Sequence, residues 1–496
     1  MSSRNSRESF LLAISLLITV GILGILWFWL SPRLTSQVAQ LEGEQSSASS
    51  SLNVALANRF SLGERQLIND VDTLAKREGI AAFAAAEYQM AVQWFEESLQ
   101  LKPNDPETLI YLNNARLRAA QRPTYRIATS VPIGKAVNVA QEILRGVAQS
   151  QDEINRSGGI NNVGLEVEII DDSNDPNLTR QIATVLVNDQ DVLAVVGHNT
   201  SDASLGAAPI YQEHGLVMIS PTTFNPAVAK VGNYIFRAVP TAQSIAAALV
   251  EHLTEQLSEQ LSQPAKMLIC YDATAPDNAV FRDAFVDTLT ANGGEVVKAT
   301  NKQGDDLCNF ASRAFDPEQA IARAIEQGAN SLYLGPSINN LAPAIEVARA
   351  NDRQLALFGS PSLYTQKITQ DGQQAVEGLV LVAPWSPDAY PDFAQRAQRL
   401  WRATVNWRTA TAYDATRAVI AGLQQGKTRR ELQRALQNPD FSTSGAGDSV
   451  RFLDTRDRRL TPVLIQVQSN GSGEYRFRSA SAPVPPVPPV PPVQSP

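Results

Sequence analysis

The sequence predicts an α/β chain built on parallel sheet, preceded by a transmembrane helix and a small α-helical region. Three observations carry this. From Tyr125 onward, short β-branched runs alternate with longer amphipathic segments, the mark of βαβ units. An uncharged apolar stretch of about 20 residues stands near the start. Between them lies a helical pattern with a repeat-like spacing. With 496 residues, 44% apolar and 19% charged, the chain can bury cores for roughly three units. A net charge of -8 and the absence of any long Lys/Arg run argue against nucleic acid as a partner.

Residues 10–30, FLLAISLLITVGILGILWFWL, are long enough as a helix to cross a hydrocarbon core of about 30 Å. Arg4 and Arg7 precede the stretch, and Trp27 and Trp29 mark its far edge. The positive-inside tendency then places residues 1–9 in the cytoplasm and the bulk of the chain outside, against the weaker pull of Arg33. The rival is a cleaved signal peptide. Its apolar region is usually about 7–15 residues, and no A-x-A site follows here. Nine residues are too few for a cytoplasmic output domain. Cys270 and Cys308 are compatible with one disulfide outside the cell, and equally with buried free thiols, since Cys270 lies in the apolar run MLICY.

Residues 31–61 form a Ser-rich linker with little to bury. Residues 62–122 read as helical and resemble a tetratricopeptide repeat. Gly79, Tyr88, Ala91, Phe95 and Pro103 fall at that repeat's spacing, and a further helix opens at Asp105-Pro106. Only one full repeat and part of another are covered, so an amphipathic hairpin packed on the next domain outweighs a peptide-binding repeat surface.

From residue 123 the strands YRIATSV, LEVEIID, VLAVVG and LVMIS alternate with helices over Val137 to Asn155, Leu178 to Val187 and Ala203 to Tyr211. Ligands of parallel sheets sit beyond the carboxyl ends of the strands. Two such ends carry polar clusters: His198-Asn199-Thr200-Ser201-Asp202 and Ser220-Pro221-Thr222-Thr223-Phe224. Hydroxyls and free N–H groups at a helix start suit a polar solute or carboxylate, and they also serve as ordinary caps.

This succession, with EINRSGGI, IIDDSNDP, PIYQEHGLVMISP and TAYDATRAVIAGL, resembles the type I periplasmic binding proteins of the leucine/isoleucine/valine-binding family, receptors of ABC uptake systems. The likeness runs from about Tyr125 to Phe477. It implies two α/β lobes closing on a ligand about a hinge: lobe I over about 123–240 and 378–450, lobe II over about 241–377, and C-terminal hinge strands over about 449–478. It also implies ligand contacts from Asn199, Thr200, Ser201, Asp202, Thr222, Thr223 and Phe224 of lobe I, and from Tyr271 and Asp272 of lobe II. The sequence departs from the family at three places. Phe224 stands for a Thr, Pro276 for a ligand-facing Tyr, and Pro361 for the acidic residue that meets an α-ammonium. An unpaired buried ammonium costs several kcal/mol, so a free amino acid needs a replacement carboxylate from Asp202 or Asp272.

Enzyme motifs are lacking: there is no Gly-rich phosphate loop, G-x-S-x-G elbow or C-x-x-C pair. His198, His214 and His252 lie without metal-ligand spacing, with His198 placed to line the cleft and the other two at the surface. No catalytic residue, metal or cofactor is expected. Residues 479–496 are Pro-rich with a three-residue period, a stiff polyproline II extension. Two readings follow. The first is a membrane-anchored receptor for a small polar solute, amino acid-like or amide, serving an ABC permease. The second is an envelope scaffold or activator that uses the same folds without transport.

Overall fold

The chain's structure is a computed structural model that describes residues 54–260, 264–338, 340–471 and 473–480. The cytoplasmic tail 1–9, the apolar stretch 10–30, most of the linker 31–61 and the Pro-rich segment beyond 480 lie outside the described residues. Among the described residues, no helix is long and apolar enough to cross a membrane.

The first sheet has the order β1-β3-β2-β4-β5-β6. Its strands are β1 (Phe60–Ser61), β2 (Thr124–Val131), β3 (Gly164–Asp171), β4 (Val192–Val196), β5 (Val217–Ser220) and β6 (Ile235–Arg237). All neighbours run parallel except β1, which pairs antiparallel with β3. The Val/Ile-rich runs of β2 to β5 are buried on both faces, as a sheet covered by helices on each side requires.

The second sheet has the order β13-β12-β11-β10-β9-β7-β8. It comprises β7 (Lys266–Tyr271), β8 (Glu295–Val297), β9 (Ser331–Gly335), β10 (Ala356–Gly359), β11 (Val380–Ala383), β12 (Val463–Ser469) and β13 (Tyr475–Ser479). The last two strands add on antiparallel.

The helices in chain order are α1 (Leu74–Ala84), α2 (Tyr88–Leu101), α3 (Pro106–Ala119), α4 (Val137–Arg156), α5 (Pro176–Asn188), α6 (Ser201–Glu213) and α7 (Pro226–Lys230). There follow α8 (Ala242–Gln260), α9 (Pro276–Ala291), α10 (Pro317–Glu326), α11 (Ala342–Asn351), α12 (Gln366–Gly372), α13 (Pro391–Trp401), α14 (Trp407–Gln425) and α15 (Arg429–Gln437). Their starts are written in the sequence. Asp105 and Asp175 cap α3 and α5 ahead of a proline, and Thr428 with Glu431 forms a capping box on α15.

The tetratricopeptide-like residues meet in the first hairpin. Ala91 and Phe95 are fully buried, and a Cβ at Gly79 would stand 2.6 Å from the Phe95 ring, so the small residue permits this approach of α1 and α2. Helix α3 is buried along nearly its whole length and lies against α4 and β3. Where the short β1 stops, Asn114 of α3 continues the pairing: its Nδ2 donates to the Val167 carbonyl at 2.8 Å, and its Oδ1 accepts from the Val167 N–H at 3.1 Å. The three helices thereby cover the edge of the first sheet and share its hydrophobic core.

Three passages join the lobes: from β6 at Arg237 to α8 at Ala242, from β11 at Ala383 to α13 at Pro391, and from Arg458 to β12 at Val463. The return at Gly378 expected from the sequence is later, because LVLVAP forms β11 and pairs with β10 in the second sheet. Helices α13 to α15 then pack on lobe I, with Trp401 Nε1 donating to Gln149 Oε1 at 3.3 Å. The segment VRFLD makes no strand, only isolated bridges of Val450 with Thr443 and Phe452 with Arg458, while VLIQVQ and EYRF extend the second sheet. Cys270 and Cys308 form a disulfide, which settles the pairing that the sequence left open.

Candidate functional site

Strands β4 and β5 are neighbours in parallel register, so their two polar ends emerge side by side. They are bonded to each other. Thr222 Oγ1 donates to the Asn199 carbonyl at 2.7 Å, Ser220 Oγ donates to the His198 carbonyl at 2.8 Å, and the hydroxyls of Ser201 and Thr223 share a short hydrogen bond. Thr200 is the cap of α6, its hydroxyl accepting from the Ala203 N–H at 3.4 Å. The clusters thus do two jobs, closing the helix start and presenting a polar rim.

Above that rim lies a cavity of about 390 Å³ with walls from both lobes. Of the residues expected at a site, Asn199, Thr200, Asp202, Thr222 and Phe224 line it. The other four do not. Ser201 and Thr223 are buried behind the wall. Asp272 is spent on a turn, its Oδ1 accepting from the Thr274 N–H at 2.9 Å and from its hydroxyl at 2.6 Å. Tyr271 carries the Arg282 guanidinium 4.5 Å over its ring. Asp272 therefore offers no replacement carboxylate to the cavity, and Asp202 is the acidic group on its wall.

His198 does not line the cleft. It is fully buried, with Nδ1 2.6 Å from Asp172 Oδ2 and Nε2 3.3 Å from the Tyr211 hydroxyl. Asp172 also accepts from Ser130 Oγ at 3.0 Å, so the imidazole belongs to a polar group inside lobe I. His214 is exposed as expected, whereas His252 is half-buried and its pKa is lowered by desolvation.

The remaining wall was not legible as such. Thr274, Asn278 and Ser362 contribute from lobe II, and Pro361 lies beside Ser362 where the family resemblance implies an acidic residue. Pro276 opens α9, and the two residues just before it, Thr274 and Ala275, line the cavity. Trp407 and Arg408 enter from the start of α14, a segment without a polar cluster to announce it. Phe224 meets Trp407 with ring centroids 5.6 Å apart, so the apolar part of the wall is continuous between the β5 loop and α14.

Arg408 is 5% exposed, and burial pulls its pKa down to about 10 against the opposing pull of Glu142. Lys135, exposed, is the second cation of the wall. A larger cavity of about 800 Å³ opens near Tyr364, Asn406 and Phe477, and none of the residues expected from the sequence lines it.

The sequence profile of periplasmic binding proteins matches residues 129–474. The leucine-specific-binding protein of Salmonella typhimurium is 24% identical over 247 residues, 50% of this chain and 63% of that protein. The chain thus spans just under two thirds of that relative's length. The Leu/Ile/Val-binding protein of Escherichia coli K12 is 22% identical over 324 residues, covering 62% of this chain and 82% of that one. Among solved structures, an ABC transporter substrate-binding protein of Desulfitobacterium hafniense in complex with Leu superposes with a TM-score of 0.59 at 21% identity, over 72% of this chain and 100% of that chain. At that identity the likeness concerns the fold.

Proposed function

The chain belongs to the periplasmic binding protein family, and from that premise we propose that it is an extracytoplasmic receptor of the branched-chain amino acid ABC transporter type. It takes a small polar solute between its lobes, and lobe closure presents the loaded form to an ABC permease. Residues 10–30 anchor it in the cytoplasmic membrane. The observation that carries this reading is the cavity of about 390 Å³ walled by hydroxyl and amide groups of both lobes, a size within the range of small-ligand clefts. Relatives named for leucine, isoleucine and valine support the class of solute rather than its identity.

The test is thermal unfolding of the full chain in detergent against amino acids, amides, short peptides, polyamines and small carboxylates. A solute at 100 times its dissociation constant adds about 2.7 kcal/mol. A folded sample that no member of the panel stabilises speaks against the receptor. The second reading, an envelope scaffold or activator, is favoured by Leu74 and Met90, large apolar side chains that α1 and α2 leave 63% and 50% exposed.

A further inference from the structure

We propose that Arg408 makes the interlobe cavity an anion site, and that its solute is an organic monocarboxylate with an apolar body and no fixed positive charge. This rests on the reading that a solute binds between the lobes.

Four arginines of the described chain are buried: Arg145, Arg237, Arg408 and Arg458. Three are met by carboxylates: Arg145 by Glu142, Arg237 by Asp457 and Arg458 by Asp414. The guanidinium of Arg408 has no hydrogen-bond acceptor and no ion-pair partner among the described residues, although it lines a cavity. The carboxylate that pulls on it electrostatically is Glu142. That group is already committed, accepting from Arg145 Nη1 at 2.5 Å and from Thr409 Oγ1 at 2.6 Å. A buried charge without a partner is costly, and a ligand carboxylate would supply the missing one.

A second observation points the same way. The next residue, Trp407, is 2% exposed, and its Nε1 is buried without an acceptor. The Arg408 guanidinium stacks 4.5 Å over that indole ring. Trp407 and Arg408, adjacent residues of the cavity lining, thus each carry a donor without an acceptor. A planar guanidinium presents a fork that fits a carboxylate.

The rest of the wall fixes the class. Phe224, Trp407 and Phe281 offer apolar surface for the body of the solute. Its charged groups are Arg408, Lys135 and Asp202, two cations against one exposed carboxylate. An α-ammonium placed here would face that excess of positive charge.

The test is isothermal titration of the full chain in detergent with phenylacetate, phenylacetamide, 4-methylpentanoate, 4-methylpentanamide and leucine, on the native protein, Arg408→Gln and Arg408→Lys. The expected result is that the acids bind about 100-fold more tightly than their amides. Arg408→Gln erases that preference and Arg408→Lys keeps part of it, while 4-methylpentanoate outcompetes leucine. Equal affinity for acid and amide, leucine binding more tightly than 4-methylpentanoate, or an acid preference that survives Arg408→Gln overturns the inference and leaves the solute receptor standing. Failure of every compound to bind a folded chain overturns both. Urea unfolding of the ligand-free proteins supplies a second readout. Arg408→Gln is expected to unfold at the native midpoint or above it, because an unpaired buried charge is removed. A lower midpoint or a misfolded variant marks a structural arginine and overturns the inference.

Discussion

Arg237 Nε donates to Asp457 Oδ1 at 2.7 Å, and both side chains are buried although they stand at the entries to different passages between the lobes. Their backbones are joined as well, the Arg237 N–H donating to the Arg456 carbonyl and the Arg458 N–H to the Arg237 carbonyl, each at 3.0 Å. Arg237 Nη1 reaches on to the Thr223 carbonyl at 3.3 Å, so the same pair braces the loop behind the cavity wall.

Asp457→Ala removes the carboxylate that meets the buried Arg237 guanidinium. Losing one partner of a buried pair costs about 3–5 kcal/mol. Urea unfolding is expected to show a loss of that order, and a loss below about 1 kcal/mol would mean that the Thr223 carbonyl and the backbone bonds suffice.

Gly146→Ala tests how closely α4 and α14 must approach. A Cβ at Gly146 would stand 2.2 Å from the Thr409 carbonyl oxygen and 2.5 Å from the Tyr413 nitrogen, both backbone atoms. The helices have to part, at an overpacking cost of about 1–3 kcal/mol. Since Trp407 and Arg408 open α14, solute affinity is expected to fall together with the melting temperature. A variant with native stability and affinity would show that the helices part freely.

Glu168, half-buried on β3, has its pKa raised from 4.5 to about 7, chiefly by desolvation and against the pull of Arg126. Between those values the folded state holds more protons than the unfolded one. Stability therefore falls as pH rises from about 4.5 to about 7, by about 1–2 kcal/mol after allowance for its partial exposure. Glu168→Gln should flatten this part of the melting-temperature profile. An unchanged slope would assign it to other groups.

The Thr222–Asn199 and Ser201–Thr223 contacts separate wall from support. Thr222→Ala is expected to weaken solute binding about 3- to 10-fold. Ser201→Ala, whose hydroxyl bonds Thr223 behind the wall, is expected to lower stability by about 1 kcal/mol first. Titration and melting on both variants check this; the reverse pattern would place Ser201 at the solute.

Half of the cavity was legible because it is local. In a parallel sheet the residue after a strand lies at the ligand-facing edge, so Asn199 and Thr222 could be found from VLAVVG and LVMIS alone. His198 escaped that rule by turning inward to Asp172, a residue on another strand end. Arg408 was invisible for the opposite reason. Nothing around it in NWRTATAYD marks a site, and its role depends on the chain returning to lobe I after β11. That return was itself misplaced, because VLVA of β11 carries the same β-branched signal whichever sheet receives it.

Both sheets and the helices around them are assembled from chain segments far apart in order of synthesis. Lobe I lacks its cover until α14 and α15 arrive, and the second sheet lacks two strands until Val463 onward is available. Lobe I can be completed once Gln437 is available, whereas the second sheet waits for Val463 onward. A stop codon anywhere before β12 would leave the edge of β11 uncovered for other chains to pair with.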